Sequence, residues 1–344
     1  MYERLHVTGF RGLDDVELDG LGRINLLVGQ NNTGKTSVLE AILLMGAGDA
    51  QMLWTLASLR GLSPKDDPDS VLGTFQTRQE RDRIVRIAAK WTGDEKERVF
   101  ELVASLGLVP AETEDESVAR VVERAWIGLS GSYYPASSSA APVQSDTANP
   151  TRAFKLREDF VRSVFVSGRA RSVKREVQQY GWLVKSRREG EVLAALKLLD
   201  NRIQRVQVVP RGDHAAIFVD LGLPDLYPLA VCGDGVVRMF SFIVELTSVR
   251  DGVLLVDEID AGLHHTVMTE FWKYLLELAE RLNVQVFATT HSEDLLRGAL
   301  SAREGDLEWL RVYRLDRRKG NVVTVRYSPE QLRSVRDDSF EVRG

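Results

Sequence analysis

Apolar and polar positions alternate with period two in two runs near the start of the chain, LHVTGF (5–10) and DDVELD (14–19), the pattern of strands with one covered face. INLLV (24–28) is nearly continuous in apolar residues and predicts a strand buried on both faces, and the run SVLEAILLMG directly after it predicts a helix. Periodicity weakens through residues 49–110, where only RIVRIAAKW (83–91) is strand-like and AETEDES (111–117) is acidic. Residues 130–150 are rich in Ser, Ala and Pro without an apolar period, which predicts a mobile surface loop. EVLAALKLLD (191–200) reads as an amphipathic helix.

Alternation of strands and helices resumes near Val206. Strands are expected at RVQVV, AAIFVD and LYPLA, then the helix VVRMFSFIVELTSV, the strand GVLLVDE, the helix TEFWKYLLELAERL and the strand VQVFATT, with EWLRVYRL and NVVTVRY closing the chain. This order argues for an α/β architecture with a mostly parallel sheet flanked by helices. It divides the chain into a core of residues 1–48 and 205–344 and an insertion of residues 49–204.

The 344 residues suffice for one large α/β domain or two smaller ones. With 44% hydrophobic and 28% charged residues and a net charge of -5, the composition is that of a globular protein without a global field for nucleic acid. Cys232 is the only cysteine, so an intramolecular disulfide and a Cys-rich metal site are both excluded. MYERLHVTGF carries charges at once and no run reaches the roughly 18 apolar residues of a membrane span. A cytoplasmic protein without a membrane segment is therefore expected. One local departure is the stretch 162–188, where Arg162, Arg169, Arg171, Lys174, Arg175, Lys185, Arg187 and Arg188 stand against Glu176 alone. It is either a solvated helix face or a patch that meets nucleic acid or an acidic partner.

Three motifs lie at strand ends. Gly29, Gly34, Lys35 and Thr36 satisfy G-x-x-x-x-G-K-[ST] between a buried strand and a helix. In that setting backbone N–H groups from Gly29 through Asn31, Asn32, Thr33 and Gly34 to Ser37 curl around phosphate. Lys35 neutralises the β and γ oxygens of ATP and Thr36 ligates Mg2+. LLVDEID (254–260) sets Asp257 and Glu258 at the end of an apolar strand, where Asp257 would complete the Mg2+ shell and Glu258 would polarise the attacking water. The alternative is that these carboxylates cap the next helix. His291 follows VQVFATT and could hold the γ-phosphate and water in line, or be satisfied structurally. His264 and His265 lie close to the carboxylates in sequence, but their spacing matches no zinc pattern.

VCGDGVVRMF (231–240) is a second glycine-lined helix entrance. With one phosphate loop present already, Gly233, Asp234 and Gly235 are free to bind the γ-phosphate of nucleotide held by another copy, which calls for a head-to-tail homodimer or a higher even-numbered oligomer.

The ordered set GQNNTGKTSVLEAI, GDGVVR, LLVDEIDAGLHH and ATTHS resembles the ABC/SMC-like ATPase head, specifically that of the overcoming-lysogenization-defect (OLD) type. The resemblance runs along nearly the whole chain. It implies a single ABC-type P-loop NTPase head, with an N-terminal antiparallel β portion and a helical insertion. It also assigns Gly29–Ser37 as Walker A, Gly233–Arg238 as signature, Asp257 and Glu258 as Walker B, Asp260–His264 as D-loop and His291 as switch. Arg11, in VTGFRGLDDVEL, is expected to approach the nucleotide, and Gln76 is the candidate Q-loop residue. Two features depart from the family: Gly233 stands where signatures often have Ser, and a counterpart of the Toprim nuclease domain of full OLD nucleases is not expected.

The function implied is an ATPase subunit that gates a separate effector, a Toprim or other nuclease, in anti-phage defence. A RecF-like repair ATPase acting on DNA is the alternative, and a nucleotide-locked scaffold that hardly turns over is a third reading.

Overall fold

The computed structural model describes residues 1–47, 52, 55–57, 75, 85–94, 97–110, 119–129, 132–135, 161–166, 171–212, 214–303 and 307–337. The two alternating runs form strands β1 (Tyr2–Phe10) and β2 (Leu13–Asp19), paired antiparallel with Leu5 opposite Leu18 and Val7 opposite Val16. INLLV is β3 (Ile24–Val28), buried at every position. It belongs to a different sheet and leads into helix α1 (Lys35–Ala47).

On the far side of β1 the first sheet continues through β4 (Val85–Trp91), β5 (Arg98–Pro110), β6 (Ala119–Leu129) and β7 (Ser132–Pro135), all antiparallel. Part of the run expected as a mobile loop is therefore a strand, since Ser132–Pro135 pair with the end of β6. The other residues of that run, the acidic AETEDES, Arg169 and Gln76 lie outside the described residues.

The central sheet contains β3, β8 (Ser163–Val166), β12 (Val253–Val256), β13 (Gln285–Thr289), β14 (Leu310–Arg318) and β15 (Asn321–Arg326), in the order β15-β14-β3-β13-β12-β8. Five of the strands run parallel, and β15 closes as an antiparallel hairpin on β14. Segments assigned by sequence to an insertion thus supply strands to both large sheets, β4 beside β1 and β8 beside β12. Pleating explains why the central runs are so uniformly apolar. Ile24, Leu26 and Val28 face one core together with Leu254, Val256, Val286 and Ala288, whereas Leu27, Leu255 and Phe287 face the other.

The second of these cores is closed by α1 and the antiparallel sheet. The first is closed by α2 (Val173–Lys185), α3 (Glu189–Leu199), α4 (Asp234–Ser248), α5 (Met268–Arg281), α6 (Glu293–Ala302) and α7 (Pro329–Asp337). Two fully buried amides hold the N terminus against the central sheet. Gln285 bonds Tyr2 through both its backbone N and O and also reaches Gly22 O, while Asn25 bonds Gly22 and Val286 O. Every polar atom of these two side chains has a partner, as burial demands.

The alternation expected from Val206 begins later. β9 (Arg205–Arg211), β10 (His214–Asp220) and the two-residue β11 (Tyr227–Pro228) form a separate antiparallel sheet. No helix intervenes between β9 and β10, and a tight turn with Gly212 at φ 56 can join only antiparallel strands. LYPLA is mostly not strand, because Leu229–Val231 turn into a short 3-10 helix.

Candidate functional site

The C-terminal ends of β3, β13 and β12 lie side by side, with Leu27 in register with Thr289 and Val256 with Ala288. The three sequence motifs at those ends therefore meet at one edge of the parallel sheet, where such sheets bind ligands.

Gly29 follows β3 with φ 132, and a Cβ there would lie 2.3 Å from Leu315 O, so the loop needs glycine at its start. Thr33 Oγ1 donates to Gln30 O at 2.9 Å, Asn31 and Asn32 are exposed, and Asn32 takes φ 62 to complete the curl. Ser37 is buried in the first turn of α1. Lys35 is only 6% exposed, and its Nζ donates to Gly29 O at 2.9 Å and Gln30 O at 2.7 Å. Burial pulls this ammonium down to about 8, and the Asp257 and Glu258 carboxylates offset part of the effect.

Asp257 ends the run begun by β12, with its N–H on Val166 O at 3.0 Å. Its carboxylate accepts from Thr36 Oγ1 at 3.1 and 3.2 Å and from Thr289 Oγ1 at 2.6 Å. Thr289 Oγ1 in turn accepts the Glu258 N–H at 2.8 Å. Glu258 stands at φ 55, a left-handed conformation that a side chain of this size adopts only when its surroundings hold it, and such residues cluster at functional sites. The chemistry of Thr36 and Asp257, a hydroxyl and a carboxylate facing each other, suits a hard cation such as Mg2+.

Thr290 Oγ1 donates to Asp260 at 2.6 Å and accepts from Ser292 N at 3.0 Å. Ser292 caps α6 by accepting from Leu295 N at 3.1 Å. His291, half-buried, is thus fixed between a bonded threonine and a helix cap. Sequence reading passed over Thr289 and Thr290. The signal was available: hydroxyls ending an otherwise apolar strand, buried here to 1% and 0% exposure, require hydrogen-bond partners.

The second glycine turn is built differently. Gly233 is the N-cap of α4 with φ 93 and ψ 150, no side chain caps the helix, and a Cβ on Gly233 would meet nothing within 4 Å. Asp234, in the first turn, is exposed. Gly235 instead packs tightly inside its own chain, since a Cβ there would lie 2.3 Å from Gly262 O. The signature candidate is therefore seated on the Asp260–His264 turn.

The Arg11 guanidinium ion-pairs with Glu40 of α1, both side chains being 4% exposed, and lies 4.5 Å from the Phe75 ring. Its left-handed backbone (φ 46) between β1 and β2 turns it into that core. His264 and His265 pack ring against ring at 4.1 Å, and among the described residues no three His, Cys, Asp or Glu side chains form a metal cluster.

Residues 24–297 match the family described as "AAA domain, putative AbiEii toxin, Type IV TA system". Among curated relatives, the DNA replication and repair protein RecF of Shewanella pealeana is 31% identical over 110 residues, covering 30% of each chain. RecF of Stutzerimonas stutzeri is 58% identical over 43 residues, covering 12% of each. The chain spans less than a third of the length of these relatives. Among solved structures, an SMC head bound to the C-terminal winged-helix domain of ScpA is similar with a TM-score of 0.56 and 14% identity, covering 97% of this chain and 99% of that one. An SMC head with an extended coiled coil bound to the C-terminal domain of ScpA derived from Pyrococcus furiosus gives 0.54 and 13%, covering 98% of both. The fold is that of an SMC head, a P-loop ATPase fold with a mostly parallel sheet flanked by helices and an antiparallel portion. No helix among the described residues is long and apolar enough to cross a membrane.

Proposed function

The chain belongs to the AAA-domain family matched above, whose fold and motifs are those of ABC/SMC-class ATPases, and from that premise we propose that it binds and hydrolyses ATP across a homodimer and thereby gates a separate effector. The observation that carries the dimer is the contrast between a phosphate loop complete within one chain and an uncapped, exposed glycine turn at Gly233.

In this reading the triphosphate displaces Lys35 Nζ from the carbonyls of Gly29 and Gln30, and the α1 N-terminus and loop N–H groups take the phosphate oxygens. Thr36 and Asp257 would hold Mg2+, which supplies positive charge to the β and γ oxygens. Glu258 polarises the attacking water and accepts its proton as the oxygen bonds to the γ-phosphorus and the bond to the ADP oxygen breaks. His291 orients the γ-phosphate and water. Gly233, Asp234 and Gly235 of a second copy close the site, the helix N-terminus of that copy meeting the γ-phosphate.

The effector half of the proposal is supported by the family description, which names a toxin and a toxin–antitoxin system, and by the resemblance to the OLD type. A nuclease in anti-phage defence is the effector this favours, in the cytoplasm. The matched segments of RecF favour a second reading, a repair ATPase acting directly on DNA.

The test is Glu258→Gln with ATP and Mg2+, followed by light scattering. A variant that retains ATP, loses about 100-fold or more in turnover and doubles in mass is expected. One that holds ATP as a monomer refutes the shared site. Recovery of a nuclease with wild type from the native host, and its loss with Lys35→Ala, separates the effector reading from the repair reading.

A further inference from the structure

Two charges of the basic stretch, Arg171 just before α2 and Arg175 in its first turn, are bonded to buried carboxylates. Arg171 Nε reaches both oxygens of buried Glu176 at 2.8 and 2.7 Å, and Ser241 of α4 donates to the same carboxylate at 2.6 Å. Arg175 pairs with Glu245 of α4 at 2.9 Å, and Gln179 donates to Glu245 at the same distance. These bonds tie α2 to the helix that begins at Gly233.

An exposed stripe runs along the same helix. Lys174, Gln178, Trp182 and Lys185 recur at spacings of four, four and three, so they form one stripe, and all four are exposed. Trp182 is 54% exposed, a large aromatic surface left in water. Exposed Arg187 extends the stripe past the end of the helix, in a left-handed turn with φ 58, and the Arg188 guanidinium lies 5.9 Å from the Trp182 ring. Gly181 leaves open space beside the ring, since a Cβ there would meet nothing within 4 Å. Glu176, the only acidic residue of the helix, faces inward at 3% exposure.

A ligand for this stripe needs distributed negative charge and a flat face to cover the indole. An acidic protein surface satisfies the first condition, but it would leave a lone aromatic ring without apolar neighbours, because exposed Val173 and Val184 project from another side of the helix. A nucleic acid satisfies both, and stacking on a side chain requires an unpaired base. We propose that the exposed stripe of α2 binds single-stranded nucleic acid, with a base stacked on Trp182 and the phosphates held by Lys174, Lys185 and Arg187. From Lys174 to Lys185 the stripe is about 16 Å long at the helical rise per residue, enough for a few nucleotides.

The test uses the full chain without nucleotide, so it does not depend on the ATP chemistry. Fluorescence anisotropy is followed with a labelled 20-mer of thymidine, with the matching duplex and with polyglutamate as competitor. Expected is binding of the single strand at least tenfold tighter than of the duplex, weakened about fivefold to a hundredfold by Trp182→Ala and largely kept by Trp182→Phe. Replacing Lys185 and Arg187 together by Ala should reduce the salt slope of binding by about 1.4. These side chains are exposed, and an unchanged Tm confirms that the variants fold. The proposal is overturned if the single strand does not bind at low salt, if duplex binds as well, if Trp182→Ala binds like wild type, or if polyglutamate competes as strongly per charge as the oligonucleotide.

Discussion

Two helices of this protein start at glycine turns, α1 at Gly34 and α4 at Gly233, and only the first is finished by its own chain. Around α1 the loop is pressed against Leu315 O, the cation of Lys35 is folded inward, and Thr36 already meets Asp257. At the start of α4 the first N–H groups have no side-chain cap, Gly233 faces open space and Val231 is 66% exposed. Even there one glycine is spoken for, because Gly235 closes on Gly262. The difference teaches that a glycine-lined helix start can be half of a site, with its position set by a turn of the same chain and its ligand brought by another.

Removing the cation of the finished site should have the largest effect. Lys35→Ala is expected to weaken ATP binding by more than about 100-fold, because the loop then faces a triphosphate without its counter-charge, and calorimetric titration measures this. Equal affinity for wild type and variant would mean that the α1 loop is not the nucleotide site.

The unfinished turn should answer in the opposite way. Val231→Glu places a carboxylate two residues before Gly233 at an exposed position. Affinity for ATP should remain within about twofold, while turnover and ATP-dependent dimerisation fall by about tenfold or more, since a like charge opposes the partner's phosphate. Normal turnover in this variant would break the comparison, leaving α4 an ordinary helix start.

Thr289→Val sharpens the comparison inside the finished site. It removes the hydroxyl that bonds both the Asp257 carboxylate and the Glu258 N–H, and it keeps the volume. Turnover should drop about fivefold, with little change in affinity, because the hydroxyl positions Glu258 and does not touch the nucleotide. A change in affinity without a change in turnover would show that Thr289 only supports the cation site.

Much of this was legible before the fold was known, and the reason is local. INLLV, VLLV and QVFAT are continuous apolar runs because their strands are covered on both faces, and the chemistry of the Gly29–Ser37 loop is confined to nine consecutive residues. What stayed hidden depends on distant partners. SVFV is four residues at the start of the basic stretch, and only its pairing with Val253–Val256 makes it part of the central sheet. The approach of Gly235 to Gly262 has no periodic signature. Arg11 lies in a family-like context, yet Glu40 and Phe75 draw it into the core. The basic stretch looked uniform because composition does not say that Arg171 and Arg175 bond the buried carboxylates of Glu176 and Glu245.

The smallest effect is one of pH, and its sign follows from Lys35. In the empty protein burial pulls its ammonium down to about 8, from an ordinary value of 10.5. The unfolded chain therefore binds more protons than the folded one between about pH 8 and 10.5, and this group makes the empty protein more stable as pH rises through that window. ATP acts in the opposite direction, since its phosphates favour the charged form and restore the proton. Affinity should be level below pH 8 and fall as pH rises beyond it, by about threefold between pH 7.5 and 8.5. At pH 8 about half a proton should be taken up per ATP bound, which titrations in two buffers of different ionisation heat will measure. The α4 turn carries no such lysine, so the same proton count is expected for the Val231→Glu variant. If that variant lost the uptake, the two entrances would be coupled in the monomer, and the turn at Gly233 would belong to the finished site after all.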